Sequence, residues 1–262
     1  MIAYFDCFSG ISGDMTLGAL IDLGVPVHWL EAQLKSIPLP DFELKASWVK
    51  RNQIQACNVE VLITNKEGDR TYTDIKNLVE QSRLSNRVID QSISMFKMIA
   101  RAESKIHRCP IEAVHFHEVG GTDAIVDIVG TALCMEFLGV ENWYCSRIPF
   151  GKGFVATQLG RLPVPAPAAA EFLKYVAVFG TDIEGELVTP TGAAIVKTLA
   201  TDFTSLPELT IQNIGYGAGK RNLGPHPNLL RIIIGREIEK KEFNSKFIKI
   251  ETCIDDMNAE LF

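Results

Sequence analysis

The stretch that decides how this chain is built is His115-Phe116-His117-Glu118-Val119-Gly120-Gly121-Thr122-Asp123-Ala124-Ile125-Val126-Asp127-Ile128-Val129-Gly130. It brings two of the five histidines together with three carboxylates and a double glycine. An apolar run follows, and it predicts a helix that Thr122 caps and Gly139 ends after about Leu138. Imidazole nitrogens and carboxylate oxygens are ligands that suit Zn, Ni, Fe or Mn.

The spacing inside this stretch predicts a metal site. In extended backbone His115 and His117 point to the same side, and Asp123 and Asp127 share one face of a helix. We therefore expect these four side chains to be the metal ligands. Glu118 points the other way and is a candidate catalytic base or a residue that orients a ligand.

A structural reading of the same residues stays open. His117 and Glu118 could cap neighbouring elements. The sole role of Asp123 would then be to stabilise the start of a helix. Asp127 favours the metal site, because it lies between Val126 and Ile128 in an otherwise apolar segment.

The composition is that of an ordinary globular protein, with 262 residues, 47% hydrophobic and 22% charged. A net charge of −6 argues against nucleic-acid binding. No C-x-x-C pair or signal-type apolar segment occurs, and Asp127 and Glu136 interrupt the most apolar helix. We expect a cytoplasmic protein without a membrane span. Whether the chain forms a homo-oligomer stays open.

Apolar patterning predicts an α/β fold, mixed and α+β-like, with mixed sheets and flanking helices. The predicted strands are 2–5, 42–49, 55–64, 143–155, 210–216 and 229–234. The predicted helices are 15–23, 27–37, 73–81, 86–107, 122–138, 168–175 and 193–200. We expect a main domain over 1–236, a charged linker over 237–246 and the start of a truncated or separately encoded domain over 247–262.

Three glycine-containing segments resemble cradles for a phosphorylated ligand, because backbone N–H groups at a helix start bind anions. A tight, capped turn is the alternative for each, and in the first segment Asp6 and Asp14 could hold a cation instead. The candidate ligand-binding residues are Ser9, Gly10, Ser12, Gly13 and Asp14 in the first segment, Thr189, Thr191 and Gly192 in the second, and Lys220 and Arg221 after the glycines at 215–219.

Five motifs in this order resemble one family. They are the Asp6–Asp14 turn followed by Met15, H-F-H-E-V-G with its two aspartates, L-P-V-P-A-P at 162–167, T-P-T-G-A-A at 189–194 and G-Y-G-A-G at 215–219. The chain is similar over its whole length to the nickel insertion proteins that mature the nickel-pincer cofactor of lactate racemase.

The resemblance implies a nickel insertase, a lyase-class cyclometallase. Such a protein inserts Ni(II) into pyridinium-3,5-bisthiocarboxylic acid mononucleotide, and it consumes CTP with Mn or Mg. The chain departs from the family pattern in having Leu159 where a histidine is usual, and Gly121-Thr122 where alanine and an aliphatic residue are usual. The family continues past the motif at 251–260 into a further domain, which some members encode separately.

Two other classes of function remain open from the residues. One is a divalent-metal-dependent phosphohydrolase, in which the cluster activates water. The other is a non-catalytic subunit that holds metal or ligand for a separately encoded C-terminal partner. In a third reading the cluster is only a salt-bridge network.

Overall fold

The computed structural model describes residues 1–64, 70–116, 119–157 and 160–238. The α-helices of this part are α1 (Gly13–Asp22), α2 (Val27–Leu34), α3 (Tyr72–Glu80), α4 (Asn86–His107), α5 (Thr122–Leu138), α6 (Pro167–Phe172) and α7 (Pro190–Leu199). The strands are β1 (Ile2–Asp6), β2 (Phe42–Arg51), β3 (Ile54–Ile63), β4 (Arg70–Thr71), β5 (His115–Phe116), β6 (Asn142–Cys145), β7 (Ile148–Lys152), β8 (Phe154–Thr157), β9 (Gly160–Pro163), β10 (Val178–Glu184), β11 (Asp202–Phe203), β12 (Leu209–Ala218) and β13 (Leu229–Glu237).

A seven-stranded mixed sheet organises the molecule, with the order β11-β6-β1-β13-β12-β3-β2. β1 runs parallel to β6 and antiparallel to β13, and β12 meets β3 in parallel where Gly217 faces Cys57. Two-stranded pairs β4-β5, β7-β10 and β8-β9 lie outside it. The predicted α/β class, a mixed sheet with flanking helices, is confirmed.

Helix α1 lies at the centre of the packing. It contacts β12 and β3 on one side and α5 on the other, and Leu17 and Leu20 are fully buried. Helix α5 also packs on α2, α4 and α7, so neighbouring helices hold it from several directions. The apolar stripe along α5, which includes Ile125 and Ile128, provides this buried surface.

Most predicted elements form within one to three residues of their predicted bounds, and α4 matches at both ends. Two predictions were wrong in detail. The segment 143–155, predicted as one strand, forms most of β6, all of β7 and the first half of β8. Gly121, not Thr122, is the N-cap of α5; Thr122 is its first residue and is buried.

The glycines at 215–219 serve packing more than ligand binding. Gly215 and Gly217 belong to β12, and a Cβ on Gly217 would lie 1.7 Å from the Met15 carbonyl oxygen of α1. A Cβ on Gly215 would lie 2.2 Å from the Ala19 carbonyl oxygen. The glycines therefore allow a helix backbone to lie directly on a strand. Gly215 lies in the predicted strand 210–216, whereas Gly217, predicted in a loop after it, continues the strand.

No helix in the described part of the chain is both long and apolar enough to cross a membrane. Strand β13 continues one residue beyond the predicted domain end at 236. The predicted linker from 239 onward and the segment 247–262 lie outside the described residues, so the predicted domain division stays a prediction.

Gly217→Ala should destabilise the protein by about 2 kcal/mol or more, because the new methyl group overlaps the α1 backbone. Gly180→Ala is the matched control: Gly180 also lies in a strand, and a Cβ there meets no atom within 4 Å. Urea unfolding of both variants measures the difference. Equal free energies of unfolding would contradict the close α1–β12 packing.

Candidate functional site

The starts of three helices open into one cleft of about 230 Å³. Its lining comes from the α1 start at Ser12–Asp14, the first turns of α5 at Asp123 and Asp127, the α7 start at Thr189 and Thr191, two β3 valines, and Lys220 after β12. The positive ends of three helix dipoles therefore face one another. The structure thus brings eight of the predicted site residues together from four distant parts of the sequence.

The α1 start is fixed by its own polar side chains. Ser12 caps the helix, and its hydroxyl donates to Asp14 while accepting from the Met15 N–H at 3.4 Å. The Met15 N–H also donates to Asp14 Oδ1 at 2.9 Å. Asp14 Oδ2 lies 3.5 Å from the Lys220 ammonium, so one cation already borders the cleft.

Asp127 is the most constrained carboxylate of the cleft. It lies one helical turn after Asp123, and its carboxylate presses on Gly13, where a Cβ would be 2.3 Å from Asp127 Oδ2. Burial raises the pKa of Asp127 well above its ordinary value, the charges of Asp14 and Asp123 raise it further, and Lys220 partly opposes them. A divalent cation placed here would offset this accumulation of negative charge.

Two glycine-containing motifs predicted as separate cradles are hydrogen-bonded into one unit. The Ile11 N–H donates to the Leu187 carbonyl at 2.9 Å, and the Thr189 N–H donates to the Ile11 carbonyl at 3.1 Å. Gly10 adopts a φ of +108° and lies against the Leu187 carbonyl, where no side chain fits. This contact sets the starts of α1 and α7 side by side.

The remaining candidate ligand-binding residues lie around the cleft rather than in its lining. Ser9 is buried, and Gly10 and Gly192 support the contact between the two motifs. Arg221 lines a neighbouring cavity and donates to the Glu186 and Glu184 carbonyls at 2.6 and 2.9 Å. Asp6, which with Asp14 is the alternative cation site, accepts a hydrogen bond from Arg231 Nε at 2.9 Å and does not line the cleft.

His115 is placed differently from the aspartates. His115 lies in β5, is exposed, pairs with Thr71 of β4 and is not part of the cleft lining. His117 and Glu118 lie outside the described residues. In the described part, no three His, Cys, Asp or Glu side chains form a ready-made metal site. The four-ligand set therefore stays a prediction.

Two apolar residues of the cleft were missed by sequence reasoning. Val59 and Val61 of β3 form one wall, and their spacing of two places them on the same side of the strand. That spacing was visible in the sequence, but which face meets the cleft depends on how β3 pairs. A cleft with an apolar wall, three carboxylates and one ammonium can hold a ligand that carries a ring as well as charges.

The comparisons with known proteins bear on the whole chain. The family model described as "Nickel insertion protein" matches residues 3–262. The chain belongs to the nickel insertion protein family. The predicted family is thereby confirmed, and the cleft belongs to a protein of this family.

Relatives named "Putative nickel insertion protein" share 45% of aligned residues with this nickel insertion family member. The protein of Citrifermentans bemidjiense aligns over 262 residues, all of this chain and 68% of its own length. Those of Geotalea daltonii and Dictyoglomus thermophilum align over 99% of this chain and 67% of their own lengths. The chain thus spans about two-thirds of these relatives. No solved structure matches it.

Asp127→Asn should stabilise the metal-free protein at neutral and alkaline pH. The folded pKa lies above the ordinary value of 3.8, so the stability linked to this group is complete below that pH and is lost as pH rises through the folded pKa. The amide in the variant cannot ionise, so this loss of stability does not occur. We expect the free energy of unfolding to rise by about 1 kcal/mol or more at pH 8. Denaturant unfolding in chelator across pH 4–9 measures it.

Asp123→Asn is the matched control, because Asp123 is exposed in the first turn of the same helix. It should lose a few tenths of a kcal/mol, roughly the helix-dipole contribution of one carboxylate. If Asp127→Asn behaved like Asp123→Asn at every pH, the constrained position of Asp127 would be refuted.

Proposed function

We propose that this chain takes part in inserting nickel into a pyridinium mononucleotide, the CTP-dependent cyclometallation that the family resemblance implies. The observation that carries the proposal is the convergence of Asp14, Asp123 and Asp127 with Lys220 at three helix starts. Carboxylates suit the metal substrate, and the ammonium and the helix N-termini suit a phosphate. Together they suit a ligand that meets nickel at one end and carries a phosphate at the other.

Nickel, the metal substrate, is proposed to bind Asp123 and Asp127 with His117, and with His115 as a further candidate. Phe116 and Gly120 flank the segment that contains His117, and a Cβ on Gly120 would lie 2.5 Å from the Phe116 carbonyl oxygen. Arg70 Nη1 donates to the Gly120 carbonyl at 2.8 Å, which fixes this segment's end beside the start of α5. The chain therefore tethers His117 within a few residues of Asp123.

The proposed reaction requires a base that accepts a proton and groups that bind a phosphate. Forming a carbon–nickel bond releases a proton from the ring carbon, and Glu118 is the candidate acceptor. Lys220, Thr189, Thr191 and the α7 start are candidates for binding a phosphate of the mononucleotide or of CTP. The implied CTP brings Mn or Mg, and the carboxylate oxygens of the cleft are ligands that suit these ions.

A second candidate function is a metal- and substrate-binding part that works with a further domain. The relatives extend well beyond the match, since the chain covers only 67–68% of their lengths. In that case this chain binds nickel and the mononucleotide, and turnover requires the additional part. We place both activities in the cytoplasm, where buried thiols such as Cys7 and Cys145 stay reduced.

His117→Ala should abolish high-affinity nickel binding, because it removes the proposed imidazole ligand that lies nearest to Asp123 in the sequence. Calorimetric titration of the purified chain with Ni(II) measures the effect. His107→Ala is the control: His107 ends α4 and is paired with Glu103. Nickel affinity that is equal in the two variants would remove His117 from the ligand set.

Lys220→Ala should weaken binding of the mononucleotide or of CTP by about tenfold, since one charge-assisted hydrogen bond is lost. Lys45→Ala removes an exposed lysine of β2 that is absent from the cleft lining, and it should bind as the parent protein does. Titration of each nucleotide separately also shows which one the cleft prefers. An unchanged affinity for both nucleotides would rule out the role of Lys220.

A further inference from the structure

A second cavity, of about 320 Å³, adjoins the carboxylate cleft. Five residues that can carry positive charge line it, and the others are asparagines and one leucine. No Asp or Glu is found among these lining residues, although the chain as a whole carries a net charge of −6. The basic members are Lys50, Arg51, Lys220, Arg221 and His226. A concave surface lined by one sign of charge concentrates the opposite ion.

The cavity is built by a network of side-chain bonds to backbone carbonyls. Arg51 Nε and Nη2 donate to the Gly219 carbonyl at 3.2 and 3.1 Å. The buried Asn228 amide donates to the Arg221 carbonyl at 2.9 Å. Together with the Arg221 bonds to the segment 184–186, these contacts hold both guanidinium groups in place, so their charges border the cavity without further ordering.

The turn between β2 and β3 completes the wall. Asn52 and Gln53 both have positive φ, 46° and 73°, as a two-residue hairpin turn requires. The Asn52 amide donates to the Pro225 carbonyl at 2.9 Å, which ties this turn to the loop that carries His226. Lys50, one residue before the end of β2, has no carboxylate within ion-pair distance in the described part of the chain.

Lys220 lines both the basic cavity and the carboxylate cleft, and it therefore lies between them. We propose that the basic cavity binds the phosphate group of an organic phosphate whose remaining part extends past Lys220 into the carboxylate cleft. The cavity volume lies at the lower end of the range of small-molecule sites, about 300–1,000 Å³. Lys50, His226 and the two arginines thereby join Lys220 as the anion-binding group.

Assigning that organic phosphate to the pyridinium mononucleotide rests on the proposed function, whereas the anion site itself does not. A mononucleotide with its phosphate in the basic cavity would present its ring toward Asp123 and Asp127. The metal and the phosphate would then be held by separate groups of opposite charge, with Lys220, 3.5 Å from Asp14, at the boundary between them.

The test is calorimetry of the full chain at low salt with inorganic phosphate, nicotinic acid mononucleotide and CTP. Lys50→Gln should weaken binding of the phosphate-bearing ligand by about tenfold, and Lys50→Arg should retain it. Lys45→Gln, on the same strand but outside the cavity, should bind as the parent protein does. Tighter binding of nicotinic acid mononucleotide than of CTP supports the monophosphate assignment, and the reverse assigns the cavity to a triphosphate.

Equal affinities in Lys50→Gln and Lys45→Gln, or no binding of any of the three ligands to the parent protein, would overturn the proposal. A nickel titration of the same variants separates this result from the proposed function, because Lys50→Gln should bind nickel normally. Phosphate binding that depends on Lys50 in a protein without nickel affinity would keep the anion site and reject only the nickel assignment.

Discussion

The arrangement of this site depends on one close contact, that of the Asp127 carboxylate with Gly13. Only a residue without a side chain lets the first turn of α1 approach α5 so closely, and the carboxylate then lies beside Asp14 and Asp123. Burial and two like charges make the ionised form unfavourable. The fold accepts this cost where three carboxylates face the same space, which is the arrangement expected where a cation is bound in use.

Charge in this part of the molecule is separated rather than mixed. Carboxylates collect at the helix starts, basic side chains collect around the loop 219–228, and Lys220 stands at the boundary, 3.5 Å from Asp14. A ligand with a metal-binding end and a phosphate end is complementary to both halves at once. Membership of the nickel insertion protein family gives this complementarity a chemical meaning, because inserting a metal requires the metal and its acceptor to be held together.

The sequence predicted the parts of the site better than their assembly. Caps, glycine stops and apolar periodicity are local, so the helix starts bearing Ser12, Asp123 and Thr189 were predictable. The bond between Ile11 and Leu187 joins residues far apart in the chain, and no local pattern encodes it. The sequence predicts a loop at Gly217, because close helix–strand packing and a flexible turn select the same amino acid. His115 lies two residues before His117 in the sequence, and an extended backbone would put both on one side. In the structure, His115 pairs with Thr71 in a two-residue strand, is exposed and does not line the cleft.

The proposed nickel site lies in the cleft between α1 and α5. Anomalous diffraction at the nickel absorption edge, from crystals of the full chain grown with Ni(II), locates the metal directly. We expect a single strong peak within bonding distance of the Asp127 and Asp123 carboxylates, with an imidazole nitrogen completing the ligands. A peak at the Cys7–Cys145 thiol pair, whose sulfurs lie 3.7 Å apart, or none near Asp127, would contradict it.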